Sequence, residues 1–297
     1  MAWHDQDSWL TAALSPNLST ILITLAVALI LPVLLHSFLY RKVGAVQNQP
    51  AFLLLGPSGA GKTAFTTLTE RNTTPATHTS TTPLTVSALL PAPHVPASSH
   101  YRSPGDPAYE RSRRFLLLDT PGHGKLRHFA AAQLSEPKIK SIKAIIFVVD
   151  AAALAEEAGL VEAAEYLHDV LLALQKRYTG ARSSKGPAEI PVLVAANKMD
   201  LFTALPPSLV KMQLEKAISE VRRSRAKALR DAGTVLDGRE DGEADEEKEW
   251  LGEGGDGDFE FGMMGESGVG VEVLGGNVVG KEGEGVAAWW AWIAEHL

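Results

Sequence analysis

The sequence predicts an α/β protein organised on a parallel or mostly parallel sheet, with one membrane-crossing helix ahead of it. Three observations point there. Short apolar runs alternate with helical periodicity, a glycine-rich phosphate-binding pattern separates the first run from the first helical stretch, and an uncharged apolar segment lies near the N-terminus.

Residues 1–17 form a short N-terminal stretch containing Asp5 and Asp7, and no charged residue occurs from Leu18 to Tyr40. A helix over 18–40, at ~1.5 Å per residue, spans roughly 35 Å, enough for the ~30 Å hydrocarbon core of a bilayer. Pro32 is tolerated as a kink in such a helix. A buried core helix seldom stays apolar on every face for so long, and a cleaved signal peptide has a shorter apolar region behind basic residues. Here the basic residues, Arg41 and Lys42, come after the segment. The positive-inside rule therefore places the chain after Lys42 in the cytosol and residues 1–17 in the lumen. Residues 41–50 read as a linker, and 51–297 as one cytosolic domain.

Within that domain "AFLLLG" (51–56), "RFLLLD" (114–119), "AIIFVVD" (144–150) and "PVLVAANK" (191–198) are continuous apolar runs ending in polar residues or glycine, as central strands buried on both faces require. Helical stretches lie between and after them, at roughly 62–70, 124–135, 153–178 and 207–231. The chain closes on "VAAWWAWIAEHL", where Val286, Trp289, Trp290, Ile293 and Leu297 fall at helical spacing and read as core packing against the sheet. Two stretches stand outside this pattern. Residues 91–109 are Pro- and Ser-rich and read as a surface excursion, and 231–258 are acidic and Gly-rich and read as a solvated insertion. No internal repeat is present.

Composition removes several function classes. A net charge of −7 without a long basic stripe argues against direct sequence-specific nucleic-acid binding. With no cysteine there is neither a disulfide framework nor a thiolate metal site, nor any acceptor for palmitoyl or prenyl groups. "MAWHDQ" carries Ala2 where myristoylation requires glycine, so attachment to a membrane depends on the chain's own side chains.

"GPSGAGKT" (56–63) fits G-x-x-x-x-G-K-[ST] directly after an apolar strand and before a helix, the context that gives the pattern meaning. Gly56, Pro57, Ser58, Gly59, Ala60, Gly61, Lys62, Thr63 and Ala64 form the candidate phosphate site: backbone amides wrap the phosphates, Lys62 reaches the β and γ oxygens, and the Thr63 hydroxyl ligates Mg²⁺. "DTPGH" (119–123) places Asp119 as the second magnesium carboxylate, acting through water, and Gly122 as an amide for the γ-phosphate. "NKMD" (197–200) supplies Asn197, Lys198 and Asp200. A carboxylate such as Asp200 accepts two bonds from the guanine N1 and N2 edge, which adenine does not offer. Read alone, the tetrad is also compatible with a helix cap.

The order of these motifs resembles the small GTPases of the Ras and Arf type, and the His after the glycine is shared with translational GTPases. A closer similarity is to the β-subunit family of the signal recognition particle receptor, single-pass ER membrane proteins with a cytosolic GTPase domain. "THTS" (77–80), "PGHGKLR" (121–127), "VVDAA" (148–152), "KMQLEKAISEVRRSR" (211–225), "DFEF" (258–261) and "VEVL" (271–274) carry it, over roughly residues 18–297 without the two insertions. The resemblance implies a doubly wound six-stranded sheet, GTP or GDP with Mg²⁺, and GTP hydrolysis that is slow without a partner. It further implies docking of the receptor α subunit's N-terminal domain on the GTP-bound switches, with ribosome and translocon as further company at the ER membrane.

Within the first switch Thr79 is the match for a Mg²⁺-ligating hydroxyl, with Ser80 and Thr81 as alternatives. His123 stands where many GTPases carry a water-orienting Gln and either orients water or rests away from the phosphate. The guanine-buttressing loop departs from the usual Ser-Ala pattern. It reads "GGNVVG" (275–280), with Gly276 and Asn277 as amide donors to the guanine O6. An Arf-like trafficking GTPase and a GTP-holding scaffold with little turnover remain the alternative functions.

Overall fold

The computed structural model describes residues 18–47, 49–92, 94–99, 101, 103, 106–135, 138–180, 188–235, 257–280 and 284–297. The expected lumenal stretch 1–17, and most of the acidic insertion, lie outside them. Two compact units divide the chain, residues 1–49 and 50–297.

The first unit contains helix α1, Leu18–Gln47, with Pro32 inside it. Its side chains are described at Leu18 and from Ile21 to His36, and all of these are exposed, among them Leu22, Leu29 and Leu35. A 16-residue run of described side chains measures ~24 Å at 1.5 Å per residue. Among the described residues, no helix is long and apolar enough to cross a membrane.

The second unit is a six-stranded sheet in the order β2-β3-β1-β4-β5-β6. Its strands are β1 (Ala51–Leu55), β2 (Leu84–Leu89), β3 (Arg114–Asp119), β4 (Ile142–Asp150), β5 (Val192–Asn197) and β6 (Val271–Gly275). All pairs are parallel except β2 with β3. The helices are α2 (Lys62–Arg71), α3 (Pro107–Ser112), α4 (His128–Leu134), α5 (Glu157–Thr179), α6 (Pro207–Val235) and α7 (Ala287–Glu295).

Strand alternation explains the two layers. From β1, Phe52 and Leu54 point to the face covered by α2 and α7, where Phe65, Trp289, Trp290 and Ile293 are buried. Leu53 and Leu55 point to the opposite face with Leu167 and Leu171 of α5 and Leu214 and Ile218 of α6. Burial on both faces is why β1, β4 and β5 read as unbroken apolar runs. Val286, Trp289, Trp290 and Ile293 are buried as their spacing predicts, joined by Trp292, while Leu297 is half-buried.

Several boundaries differ from expectation. Strand β2 escapes the apolar-run criterion because it lies at the sheet edge and only alternate residues, Val86 and Ala88, are buried. The stretch 124–135 divides into a 3₁₀ turn over Gly124–Leu126 and α4 from His128, the turn being capped at the His123 side chain. Residues 153–155 also form a 3₁₀ turn ahead of α5, because Asp150 Oδ1 accepts the amides of Ala152 and Ala153, at 3.0 and 3.2 Å. Within the Pro-rich excursion, Ala97–Ser99 forms a further 3₁₀ turn and α3 follows.

Candidate nucleotide-binding site

The glycine motif occupies the turn between β1 and α2, at the carboxyl end of the strand where the sheet's winding reverses, the crevice in which open α/β sheets take ligands. Gly56 and Gly61 have φ of 135° and 100°, values that disfavour side chains. A Cβ on Gly56 would also strike the Val148 carbonyl, and one on Gly61 the Asn197 amide nitrogen. The loop can take this course only with glycine at both places, and its amides are thereby gathered at the α2 N-terminus.

Lys62 is buried, and its Nζ donates to the carbonyls of Gly56 and Pro57, at 2.8 and 2.7 Å. Burial lowers its pKa to about 8, against the pull of the nearby Asp119 carboxylate. Asp119, 1% exposed at the end of β3, accepts the Thr63 hydroxyl on Oδ2 at 3.0 Å. Burial raises its pKa to about 6, opposed by that hydrogen bond and by Lys62. Its Oδ1 is buried and makes no hydrogen bond. A desolvated, unpartnered carboxylate oxygen beside a hydroxyl is a donor set suited to a hard divalent cation or its water. Among the described residues there is no cluster of three or more His, Asp or Glu, so such a cation would rest on Thr63, Asp119, phosphate oxygens and water.

The "DTPGH" turn lies against the loop. Thr120 Oγ1 donates to the Leu54 carbonyl at 2.8 Å, and a Cβ on Gly122 would come within 2.6 Å of the Gly56 carbonyl oxygen. His123 is exposed, with its Nδ1 accepting the Lys125 amide at 3.3 Å. Thr79 is exposed in an irregular segment, and its hydroxyl is not among the groups bonded to Asp119.

On the other flank, Asn197 is 2% exposed and fastens two loops together: Nδ2 donates to the Ala60 carbonyl at 2.8 Å, and Oδ1 accepts the Val278 amide at 3.0 Å. Lys198 holds φ at 62°, uncommon for a side-chain-bearing residue, and pairs with Asp150 Oδ2 at 2.6 Å. Asp200 is exposed. Gly276 and Asn277 require a correction: their amides, expected to face a base, donate to the carbonyls of Ala196 and Gly285, at 2.8 and 2.9 Å. The Gly276 amide extends the β5–β6 ladder, and the Asn277 amide ties the loop to the turn ahead of α7. Two residues that motif reading leaves out also shape the site: Asp150, which positions Lys198, and Arg127, which joins the "DTPGH" turn to α5 through Glu162. "VVDAA" contains Asp150, yet no spacing rule announces a lysine partner just past the end of β5.

Residues 47–267 match the family described as signal recognition particle receptor beta subunit. The signal recognition particle receptor subunit beta of Saccharomyces cerevisiae is 32% identical over 190 residues, 63% of this chain and 65% of that protein. The chain thus spans less than two thirds of the curated relatives' own lengths. The solved SRb-GTP/SRX complex of the receptor from Chaetomium thermophilum contains a chain 38% identical, with a TM-score of 0.63, covering 82% of this chain and 99% of that one. The SRb-GDP-Mg structure from the same organism is 40% identical with a TM-score of 0.59, covering 84% and 99%. Six strands in this order, wound with helices on both faces around a phosphate-binding loop, are the small-GTPase fold, and the chain belongs to the signal recognition particle receptor β-subunit family.

Proposed function

We propose that the chain is a membrane-anchored guanine-nucleotide switch, the β subunit of a signal recognition particle receptor. The observation that carries this reading is the joint placement of Lys62, Thr63 and Asp119 under a glycine loop that Asn197 ties to the 275–280 segment. GTP and GDP are the ligands, as in the Chaetomium thermophilum structures named for SRb-GTP and SRb-GDP-Mg. Residues 56–64 hold the phosphates, Gly122 meets the γ-phosphate, and Asp200 reads the guanine edge while Asn197 and Lys198 set its position. Gly276 and Asn277 hold the shape of the base-side loop.

Magnesium, when bound, supplies charge that offsets the phosphate oxygens. Thr63 and Asp119 are the residues that would hold it, Asp119 through its unpartnered oxygen or an intervening water, with Thr79 joining when the first switch orders. Lys62 gains a phosphate partner, which favours its charged form against the burial that lowers its pKa. His123 is exposed and its Nδ1 caps a turn, which supports a ring at rest until a partner moves it onto the attacking water. Unaided GTP hydrolysis is therefore slow, and a GTP-holding subunit with little turnover is the second reading this geometry favours.

The anchor is the 18–40 segment with residues 1–17 lumenal and 41–50 as linker, supported by its uncharged, largely apolar sequence and by the exposed aliphatic side chains of α1. The ER membrane is the address and the receptor α subunit's N-terminal domain the partner, by analogy with the SRb/SRX complex. Ribosome and translocon follow as company of that assembly. Family membership displaces the trafficking-GTPase alternative.

The test is the identity of the nucleotide that copurifies with residues 50–297, released by denaturation and separated by chromatography. Guanine nucleotide is expected, GTP favouring the slow-turnover form and GDP an active switch. Adenine nucleotide overturns the assignment. An independent check is Asp200→Asn, which should shift preference from guanine to xanthine nucleotide.

A further inference from the structure

The turn that follows β3 ends on Arg127, a side chain that the proposed phosphate, magnesium and base contacts leave unused. Thr120 fixes the start of the turn to β1, Gly122 lies on the phosphate loop, and residues 123–127 wind into a 3₁₀ turn with Leu126 donating to the His123 carbonyl at 2.8 Å. Arg127 closes it. Its guanidinium sits 4.5 Å from the centroid of the Tyr166 ring, and its Nη2 donates to Glu162 Oε1 at 2.9 Å. Glu162 and Tyr166 are four residues apart on α5 and so share one face of the helix.

The receiving surface is part of the core. Tyr166 is 3% exposed and meets the fully buried Phe147 of β4 edge to face, with ring centroids 5.4 Å apart. Arg127 by contrast belongs to a short turn held by few bonds. A planar cation lying on an aromatic face and bonded through one terminal nitrogen to a carboxylate is a directional contact, which a lysine reproduces only in part.

We propose that Arg127 is a positioning residue: by closing on Glu162 and Tyr166 together, it holds the Gly122 turn against the phosphate loop, and the chain's preference for triphosphate over diphosphate depends on that latch. The inference rests on the guanine-nucleotide reading above. Of the phosphates, only the γ group is within the compass of the Gly122 amide in that reading, so stabilising this turn favours GTP and leaves GDP unaffected. A ligand shifts a two-state turn only by its differential affinity, and loss of the latch must appear in the ratio of affinities.

The experiment measures affinities of the full-length chain in detergent for a fluorescent non-hydrolysable GTP analogue and for fluorescent GDP, with magnesium. An exposed ion pair together with a cation–π contact corresponds to about a three- to thirty-fold effect. Arg127→Ala should weaken the GTP analogue by that factor while GDP stays within about twofold, Arg127→Lys should fall between, and the double variant with Glu162→Gln should lose no more than Arg127→Ala alone. If Arg127→Ala does not fold, Glu162→Gln, at a half-exposed carboxylate, carries the test with the same direction and smaller size. Equal losses for both nucleotides, or an unchanged ratio, overturn the latch. A parent chain that binds neither nucleotide overturns the switch reading itself, and the latch with it.

Discussion

Truncating Asn197 to Ala should destabilise the nucleotide domain by an amount the structure sets. The side chain satisfies the Ala60 carbonyl and the Val278 amide, and Ala60, Val278 and Asn197 are 1%, 0% and 2% exposed. Asn197→Ala leaves both backbone groups without a partner in a dry interior. At roughly 1–3 kcal/mol for each orphaned group, the loss comes to about 2 kcal/mol at least, with water entering the vacated space keeping it from the upper end. Urea unfolding of residues 50–297 reads this directly as a lower midpoint at unchanged slope. Asn277→Ala is the control. It removes a bond of similar chemistry, from Val279 to Asn277 Oδ1 at 3.2 Å, but at an exposed place, and should cost less than about 0.5 kcal/mol. A loss for Asn197→Ala no larger than the control would refute the idea that this residue ties the two loops together.

Three further outcomes are expected. Trp289→Ala removes a fully buried ring that donates to the Leu274 carbonyl at 3.2 Å and meets Phe65 edge to face, and should cost about 3–5 kcal/mol in the same unfolding assay. Burial pushes the Asp169 carboxyl up, but hydrogen bonds from His168 and Arg225 outweigh it and hold the pKa below 3.8. The stability gained is present above that value and fades as pH falls through the folded one, so Arg225→Ala should destabilise the domain at pH 7 and progressively less in thermal melts toward pH 3. His123→Ala should leave single-turnover GTP hydrolysis of the isolated chain nearly unchanged, since the ring caps a turn there; a rate loss only with the α subunit added would assign the ring to a partner-induced arrangement.

Much of the fold is legible because burial on both faces leaves a plain trace. Runs such as "FLLL" or "VLVAA" admit few other readings once helical periodicity surrounds them. Strand β2 is illegible for the opposite reason: an edge strand buries alternate residues only, and "LTVSAL" then differs little from loop. The phosphate side of the site is a contiguous motif with its own backbone geometry, so it can be read directly. The base side depends on pairings across the sheet. Whether the amides of Gly276 and Asn277 are available depends on the carbonyls of Ala196 and Gly285, which no local pattern specifies. Arg127 lies within "PGHGKLR", yet its partners, Glu162 and Tyr166, are distant in the chain and identified only by the packing of α5.

Phe65 meets Trp289 edge to face and Trp290 at a tilt, with centroids 5.5 and 5.2 Å apart, and these contacts join the helix behind the phosphate loop to α7. This sets an order of biosynthesis. The phosphate loop leaves the ribosome well before α7, whose tryptophans form the wall that covers α2. That side of the sheet therefore stays open until α7 has been made, and a chain cut before Trp289 would have the phosphate and base motifs but no closed face on which to hold them.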